Sequence, residues 1–462
     1  MLVRDLLGID SDIEITGITD DSREVKSGYL FVATKGFNVD HFDYIDKAIE
    51  NGCSFLVVDR EINFDFPHII VDKINQVYHE LCIKYFNVDL DKFHFIGITG
   101  TDGKTTTASI IHELIKESAY IGTNGLQVLG EEKETHNTTP CINELCEDLK
   151  FIQDRGVSTV SMEVSSEALL HDRVSNLCYD IVCFTNITGD HLNVHKTFDN
   201  YVECKKKLLK YVKKDGYVIV NGDDEILKNI KCDNKISFGF NNDNDYVISN
   251  VEYLSNGVKI SVKYKDKETI IESPLHGKYN VYNVVMAYIT GKHFGIDEYL
   301  LLDRIKKLSP IKGRCEFLDF GQDYDIVLDY AHTINAVSTL LDSFKDYETI
   351  ITVTGAAGGR EKEKRPIIGK DVIEKSTVSV FTMDDPRYED VNEIIDQMVG
   401  DATDYVRIPD RVEAIHYALS IAPPKSVVLI IGKGRDNYMA IEDKKVPYCD
   451  YDVIKDYFEN SR

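Results

Sequence analysis

Residues 93–107, FHFIGITGTDGKTTT, constrain this chain more than any other stretch. Phe93, Phe95, Ile96 and Ile98 make an apolar run of buried-strand character, and it breaks into Gly100-Thr101-Asp102-Gly103-Lys104-Thr105-Thr106. Behind the break, Ile110, Ile111, Leu114 and Ile115 recur on one helical stripe. A strand that opens a helix through such a turn is a phosphate-binding loop. Glycine lets backbone N–H groups face phosphate oxygens, and the helix N-terminus adds partial positive charge. Lys104 neutralises β- and γ-phosphate charge, and the Thr105 hydroxyl can ligate Mg²⁺. ATP or GTP is the implied ligand. The spacing departs from G-x-x-x-x-G-K-[ST], because Ile98 stands where the first glycine belongs, with Gly97 and Gly100 nearest. The competing reading is an ordinary strand-to-helix turn that carries a lysine.

A chain of 462 residues exceeds one hydrophobic core and predicts about three domains. The formal charge of −25 opposes a general nucleic-acid or anionic-membrane partner, since phosphate contacts need clustered Lys and Arg. Neither the N-terminal MLVRDLLGIDSD nor any later run has the apolar length of a signal peptide or membrane span, so a cytoplasmic protein is expected. The ten cysteines are scattered without a C-x-x-C pair and read as reduced and mostly buried.

Residues 1–88 read as a small α/β unit: strands around a turn at Lys26-Ser27-Gly28, a helix over 44–51 and a strand over 54–58. Asp21-Ser22-Arg23 taken alone is a capped turn. Residues 89–312 form the domain of the phosphate loop. Its strand over 157–164 delivers Glu163, Ser165 and Ser166, and a strand over 179–187 delivers Asn186, Asp190 and His191. Sites in α/β sheets lie beyond the carboxyl ends of strands, which makes Glu163 and His191 candidate Mg²⁺ ligands or, alternatively, hydrogen-bonded strand-end residues. Residues 196–214 carry a helical stripe of Phe198, Tyr201, Leu208 and Val212 in which Lys205 occupies the remaining position. A lysine there must be paired, neutralised, modified, or snorkelling out with Lys206, Lys207 and Lys210. Asn280 and Asn283, three apart at a helix start, share one face and suit either adenine recognition or capping.

Residues 313–462 repeat an apolar strand followed by a polar loop four times: Asp329-Tyr330-Ala331-His332, Gly355 through Arg360, Asp384-Asp385-Pro386-Arg387, and Gly432-Lys433-Gly434-Arg435-Asp436. This alternation predicts a doubly wound, Rossmann-like parallel sheet whose strand ends converge on one crevice. The fold class is α/β in three domains: a small N-terminal unit, a central P-loop ATPase-like parallel-sheet domain and the C-terminal Rossmann-like domain. Gly355-Ala356-Ala357-Gly358-Gly359-Arg360 is not G-x-G-x-x-G, which counts against a dinucleotide site.

Together these motifs resemble the Mur ligases of peptidoglycan precursor synthesis, most closely the type that adds the third residue (the MurE type). The resemblance rests on Asp21-Ser22-Arg23, Gly100 to Thr106, Asn137-Thr138-Thr139-Pro140, Met162 to Ser166 with Arg173, and Phe184 to His191. It continues through Lys205, Gly313 to Glu316, Asp329 to Thr333, Arg360 with Lys364-Arg365-Pro366, and Asp384 to Arg387. It implies a bacterial cytoplasmic ATP-dependent acid–amino-acid ligase that joins a diamino acid, meso-diaminopimelate in preference, to UDP-MurNAc-L-Ala-D-Glu through an acyl phosphate. ATP and Mg²⁺, as two ions, are the implied cofactors, and a monomer is expected.

By the same resemblance Ser22 meets the uridine nucleotide, while Asn137, Thr138, Thr139, Ser165 and Arg173 meet the muramoyl-dipeptide. Residues Gly100 to Thr106 hold ATP with Asn280, Asn283, Arg314 and Asp329. Lys104, Glu163, His191 and Lys205 carry the catalysis, with Thr105, Glu163, His191 and a carbamylated Lys205 as metal ligands. His332, Arg360, Asp384, Asp385, Arg387, Gly432 and Asp436 receive the amino acid. The chain departs from the family pattern at Glu167 for His, Asn193 for Asp, Ile334 for Pro, Asp385 for Asn and Arg435-Asp436 for His-Glu; the metal and phosphate positions are intact, and the acceptor is what stays open. Physically, an arginine fork plus an acid suits a side chain ending in both carboxylate and ammonium, whereas lysine offers a cation alone. L-lysine or another diamino acid stays open, as do a paralogue acting on a different acceptor and a non-catalytic binding protein.

Overall fold

The computed structural model describes residues 1–36, 39–254 and 257–460. Three parallel or largely parallel sheets carry the chain in sequence order. The first has four strands, Gly17–Thr19, Tyr29–Val32, Phe55–Val58 and His68–Ile70, in that order. The two strands flanking Lys26-Ser27-Gly28 pair in parallel, Gly17 opposite Tyr29, so the polar segment between them is a crossover. Leu30, Phe31 and Val57 pack with Tyr78, Leu81 and Cys82 of the helix Ile74–Phe86, and the same core takes in Ile142 and Cys146 of the helix Ile142–Asp154.

Eleven strands make the second sheet. Its phosphate-loop strand, His94–Thr99, lies between Tyr179–Phe184 and Thr159–Glu163, parallel to both, with Ile98 opposite Cys183 and Glu163. That register brings the ends of three strands to one edge, where their polar residues meet. Helices Lys104–Leu114 and Lys278–His293 pack together over one face. Two strands, Lys235–Gly239 and Lys267–Ser273, escape sequence reading, because KISFG is short and KETIIES is a polar edge strand. The helix expected over 196–214 spans only Phe198–Lys206, followed by a 3₁₀ turn Lys207–Tyr211. Val212 begins the strand Val212–Asn221 instead: over so short a window a single apolar residue matches either period.

The third sheet has six strands, and four adjacent ones, Asp325–Asp329, Val427–Ile431, Ile350–Thr354 and Val378–Phe381, run parallel. Each feeds one of the four polar loops, which therefore emerge side by side. A short hairpin, Tyr438–Ile441 with Lys444–Pro447, folds back onto one of them: Arg387 N–H donates to Ala440 O at 3.0 Å. Among the described residues no helix is long and apolar enough to cross a membrane. All ten cysteines are free, six of them buried.

Candidate active site

The phosphate loop is held by its neighbour strand before any ligand is considered. Asp102 N–H donates to Asn186 Oδ1 at 3.0 Å, Thr185 Oγ1 donates to Asp102 O at 2.6 Å, and Thr101 N–H donates to Asn186 O at 2.9 Å. Gly103 has φ 82°, and a Cβ there would lie 2.6 Å from Asn283 Oδ1, so only glycine lets the loop approach that helix. Lys104 Nζ donates to Gly100 O and Thr101 O at 3.0 and 2.8 Å, folded over the loop's own carbonyls. Burial pushes its pKa down, against the opposing pull of Glu163, Asp102 and Asp190.

Glu163 is fully buried, and its carboxylate accepts from Tyr120 Oη at 2.6 Å, Thr123 N–H at 2.8 Å and Thr105 Oγ1 at 2.9 Å. No Lys, Arg or His lies within ion-pair distance of it among the described residues. A buried, hydrogen-bonded carboxylate without a paired cation is a seat for one. His191 occupies a left-handed conformation, φ 55°, and its buried Nδ1 has no hydrogen-bond partner among the described residues, with Glu167 Oε1 3.7 Å away. Lys205 is 1% exposed, so it does not snorkel outward. Its Nζ donates to Gly100 O at 2.6 Å and sits 4.7 Å from the Tyr201 ring centre. Burial, and then the Lys104 charge, push its pKa far below the usual lysine range, which favours a neutral, nucleophilic amine.

These groups fit an Mg²⁺ ion. Glu163, the Thr105 hydroxyl and the orphaned His191 nitrogen are donors without a closed cage, since no three His, Cys, Asp or Glu groups among the described residues converge as a complete metal set. Mg²⁺ prefers such partial protein ligation, with phosphate oxygens and water completing its shell.

A cavity of about 610 Å³ opens from the loop across to the third sheet. Residues Thr101 to Thr106, Thr138, Glu163, His191 and Asn283 form its central-domain wall, while Gly100, Lys205 and Asn280 stand directly behind it. Asn283 Nδ2 donates to Asn280 Oδ1 at 3.1 Å, so the two asparagines do share a face, with only the second reaching the cavity. From the far wall Arg314 Nη2 donates to Thr105 Oγ1 at 3.1 Å while its guanidinium lies 4.7 Å from the Tyr330 ring centre. Asp329 lines the cavity, but its carboxylate is occupied by Cys315 N–H at 2.6 Å and Ala331 N–H at 2.7 Å.

His332, Arg360, Asp384, Asp385, Arg387, Gly432 and Asp436 line the same cavity. Their charges are unevenly matched. Buried Lys433 lies 2.8 Å from Asp385 Oδ1 and 3.5 Å from Asp436 Oδ2, whereas Arg360 and Arg387 form no ion pair among the described residues. Burial raises the Asp436 carboxyl to about 6, reinforced by Asp384 and Asp385 against the pull of Lys433.

Ser22, Asn137, Thr139, Ser165 and Arg173 stay off the cavity wall. Three of them interlock beyond Glu163: Thr139 Oγ1 accepts from Ser165 N–H at 2.9 Å, and Arg173 Nη1 donates to Thr139 O at 3.1 Å. Asn137 is exposed, and Ser22 is buried in the first domain, its carbonyl accepting from Asn51 Nδ2 at 2.8 Å. Sequence reading passed over Tyr120 and Thr123, which hold Glu163, and Asp223 and Tyr282 on the Asn283 side of the cavity. Tyr120 lies in an unremarkable strand, SAYIG, and no local pattern distinguishes it.

Three family models match in succession: Mur ligase family, catalytic domain, over residues 14–91; Mur ligase middle domain over 98–291; and Mur ligase, glutamate ligase domain, over 313–434. The chain is 33% identical over 460 residues, covering 96% of itself and 94% of its relative, to the UDP-N-acetylmuramoyl-L-alanyl-D-glutamate--2,6-diaminopimelate ligase of Bacillus cereus. To the protein of the same name from Lactiplantibacillus plantarum it is 34% identical over 459 residues, 95% of this chain and 93% of that one. A solved structure of a ligase of that name superposes with a TM-score of 0.67 at 25% identity, covering 100% of this chain and 99% of the other. With its length taken up by three consecutive family models and matched nearly end to end by relatives a third identical, the chain belongs to the Mur ligase family.

Proposed function

We propose that this protein is an ATP-dependent ligase that adds 2,6-diaminopimelate to UDP-N-acetylmuramoyl-L-alanyl-D-glutamate, working as a monomer in the bacterial cytoplasm. One observation carries the choice of acceptor: among the described residues Arg360 and Arg387 stand unpaired in the cavity while Lys433 is taken up by Asp385 and Asp436. Beside these guanidiniums the wall also carries Asp384, which forms no ion pair among the described residues, and Asp436, which shares Lys433 with Asp385, a mixed set suited to a side chain that ends in both carboxylate and ammonium. Two close relatives bear the name of that reaction.

In this reading residues 1–88 take the uridine nucleotide, with Ser22 in contact. Residues 89–312 hold ATP and the muramoyl-dipeptide, the latter through Asn137, Thr138, Thr139, Ser165 and Arg173. Residues 313–462 bring the amino acid. Asn283, backed by Asn280, faces adenine, and Arg314 and Asp329 close on the rest of the nucleotide. Thr105, Glu163, His191 and a carbamylated Lys205 would hold Mg²⁺, as two ions. When bound, the metal neutralises charge on the phosphates as the γ-phosphoryl group moves.

The chain's own residues do the rest. Lys104 leaves the loop carbonyls for the β- and γ-phosphates and stabilises the transferring group. The D-glutamyl carboxylate takes the γ-phosphoryl group, giving an acyl phosphate and ADP. His332, Asp384, Asp385, Gly432 and Asp436 seat the amino acid, with the two arginines on its distal carboxylate. Its neutral amine attacks the acyl carbon, the C–O bond to phosphate breaks, and the nitrogen gives up a proton that leaves with the phosphate, so that amide and hydrogen phosphate result. Alignment and charge neutralisation supply most of the rate. Lys205 becomes an anion by adding CO₂ to its neutral amine with loss of a proton, which sets a negative charge beside the positive charge of Lys104.

Phosphate release from ATP with UDP-MurNAc-L-Ala-D-Glu tests the proposal, comparing meso-diaminopimelate, L-lysine, L-ornithine and no amino acid. Release that needs diaminopimelate is the expected result. Release with L-lysine in preference would overturn the acceptor assignment, and silence with all four would overturn the reaction.

A further inference from the structure

The two unpaired arginines sit on the tips of adjacent loops, and like charges on neighbouring loops drive them apart. Strands Ile350–Thr354 and Val378–Phe381 are parallel neighbours, so the segments after them run side by side. Their backbones nearly touch: Gly358 N–H donates to Asp385 O at 2.8 Å, and a Cβ on Gly358 would collide with Pro386 O. Arg387 Nη1 lies 3.6 Å from where a Cβ on Gly359 would stand. Something behind the loops must hold this approach.

That support centres on Glu389, outside the cavity wall, which pairs with buried Arg365 and also, at 3.1 Å, with the more exposed Lys362. Arg365, 0% exposed on the first turn of the helix Lys364–Lys375, donates from Nη1 to Glu389 Oε2 at 2.8 Å and from Nη2 to Glu389 Oε1 at 3.1 Å. The same guanidinium donates to Ala357 O at 2.9 Å and to Gln397 Oε1 at 2.6 Å. Glu389 in turn accepts from Gly359 N–H at 2.6 Å, and its own N–H donates to Pro386 O at 3.0 Å. One loop is therefore gripped at Ala357 and Gly359 by a bidentate pair whose acid, Glu389, belongs to the other loop, two residues beyond Arg387.

We infer that the Arg365–Glu389 pair is a positioning clamp that fixes the spacing of Arg360 and Arg387, and hence how the protein reads the distal carboxylate of its acceptor. The inference rests on the acceptor reading above. Neither partner lines the cavity, so both act through the loops they hold. Arg365 holds the Glu389 carboxyl down at about 2, which keeps the clamp charged across the working range of pH.

The test uses the full chain with the Glu389→Gln, Arg365→Lys and Arg365→Met variants, measuring kcat and KM for each of the three substrates. Glu389→Gln keeps the size and an acceptor for Gly359 but loses the charge, and its side chain is only partly buried. The expected result is a KM for diaminopimelate raised roughly 10-fold, kcat within about 3-fold, and unchanged KM for ATP and the UDP-dipeptide, the signature of misplaced binding groups. Arg365→Lys, which keeps charge without the fork, should fall between wild type and Arg365→Met. Hydrogen exchange at residues 355–360 and 384–389 should rise together in Glu389→Gln. A KM unchanged in Glu389→Gln, or a loss spread evenly over all three substrates, overturns the specificity role. Unaltered exchange in both loops overturns the clamp itself. The exchange arm needs no turnover, so a wild-type protein that used no diamino acid would refute the acceptor reading while the clamp was still decided.

Discussion

The two ends of the cavity solve opposite problems. At the phosphate end the charged groups already have partners before substrate arrives: Glu163 accepts four hydrogen bonds from Tyr120, Thr105 and Thr123, Lys104 donates to two carbonyls, and Lys205 to one. At the acceptor end two arginines have no ion-pair partner among the described residues and are aimed by a pair behind them. Charge stabilisation of a transferring group works best from groups held near their places beforehand, whereas recognition of a particular acceptor needs spare charge that the ligand completes. Substitutions at the first end should therefore strike kcat, and those at the second should strike KM.

Lys104→Met has the largest expected effect. Removing a cation from the transferring phosphoryl group should cost about 10³-fold in kcat, roughly 4 kcal/mol, with thermal stability little changed, as steady-state phosphate release would measure. Lys205→Ala comes next, on the order of 10²-fold in kcat. Wild-type activity should fall in CO₂-free buffer and recover with bicarbonate, and intact mass should show about 44 Da added to the wild type and none to the variant. A variant with full activity would remove Lys205 from the phosphate end altogether. Arg387→Ala should raise the KM for diaminopimelate by roughly 10- to 100-fold, the cost of a lost bidentate contact, and leave the KM for ATP alone. A fall in kcat at constant KM would erase the distinction between the two ends.

The smallest effect concerns stability. Asp436 titrates near 3.8 unfolded and at about 6 folded, so between those values the native state binds more protons than the unfolded one. Stability should accordingly fall as pH rises from about 4 to about 6, by about 1 kcal/mol after allowance for partial exposure. Asp436→Asn should remove that contribution and unfold later at pH 7 in a thermal melt, at the expense of acceptor binding. A melt whose pH dependence is the same in both proteins would show that Asp436 is not strained by its neighbours.

Legibility from sequence follows the same division. The phosphate loop is contiguous, and each of its residues has a local reason, so strand, turn and helix could be read off residues 93–115. Glu163 and His191 stand out in the sequence because strand ends in parallel sheets collect polar residues, and both line the cavity. Lys205 was found as a polar break in an apolar stripe and is indeed buried. The contact of Arg314 with Thr105 spans 209 positions and depends on how two domains close, which no local pattern encodes. Tyr120 and Thr123 were missed because a side chain that steadies a carboxylate has no spacing rule. The early end of the helix at Lys206 was missed because Val212 serves a strand as well as it would a helix.

The core shared between the first sheet and the helix Ile142–Asp154 bears on how the protein is made. Chains emerge from the ribosome N-terminus first, and Tyr78, Leu81 and Cys82 wait for Ile142 and Cys146 to cover them. At about 5–20 residues per second, the roughly 60 residues between Phe86 and Cys146 delay that cover by about 3–12 s. For that interval the nascent first domain presents an open apolar seam, the kind of surface that holding chaperones bind.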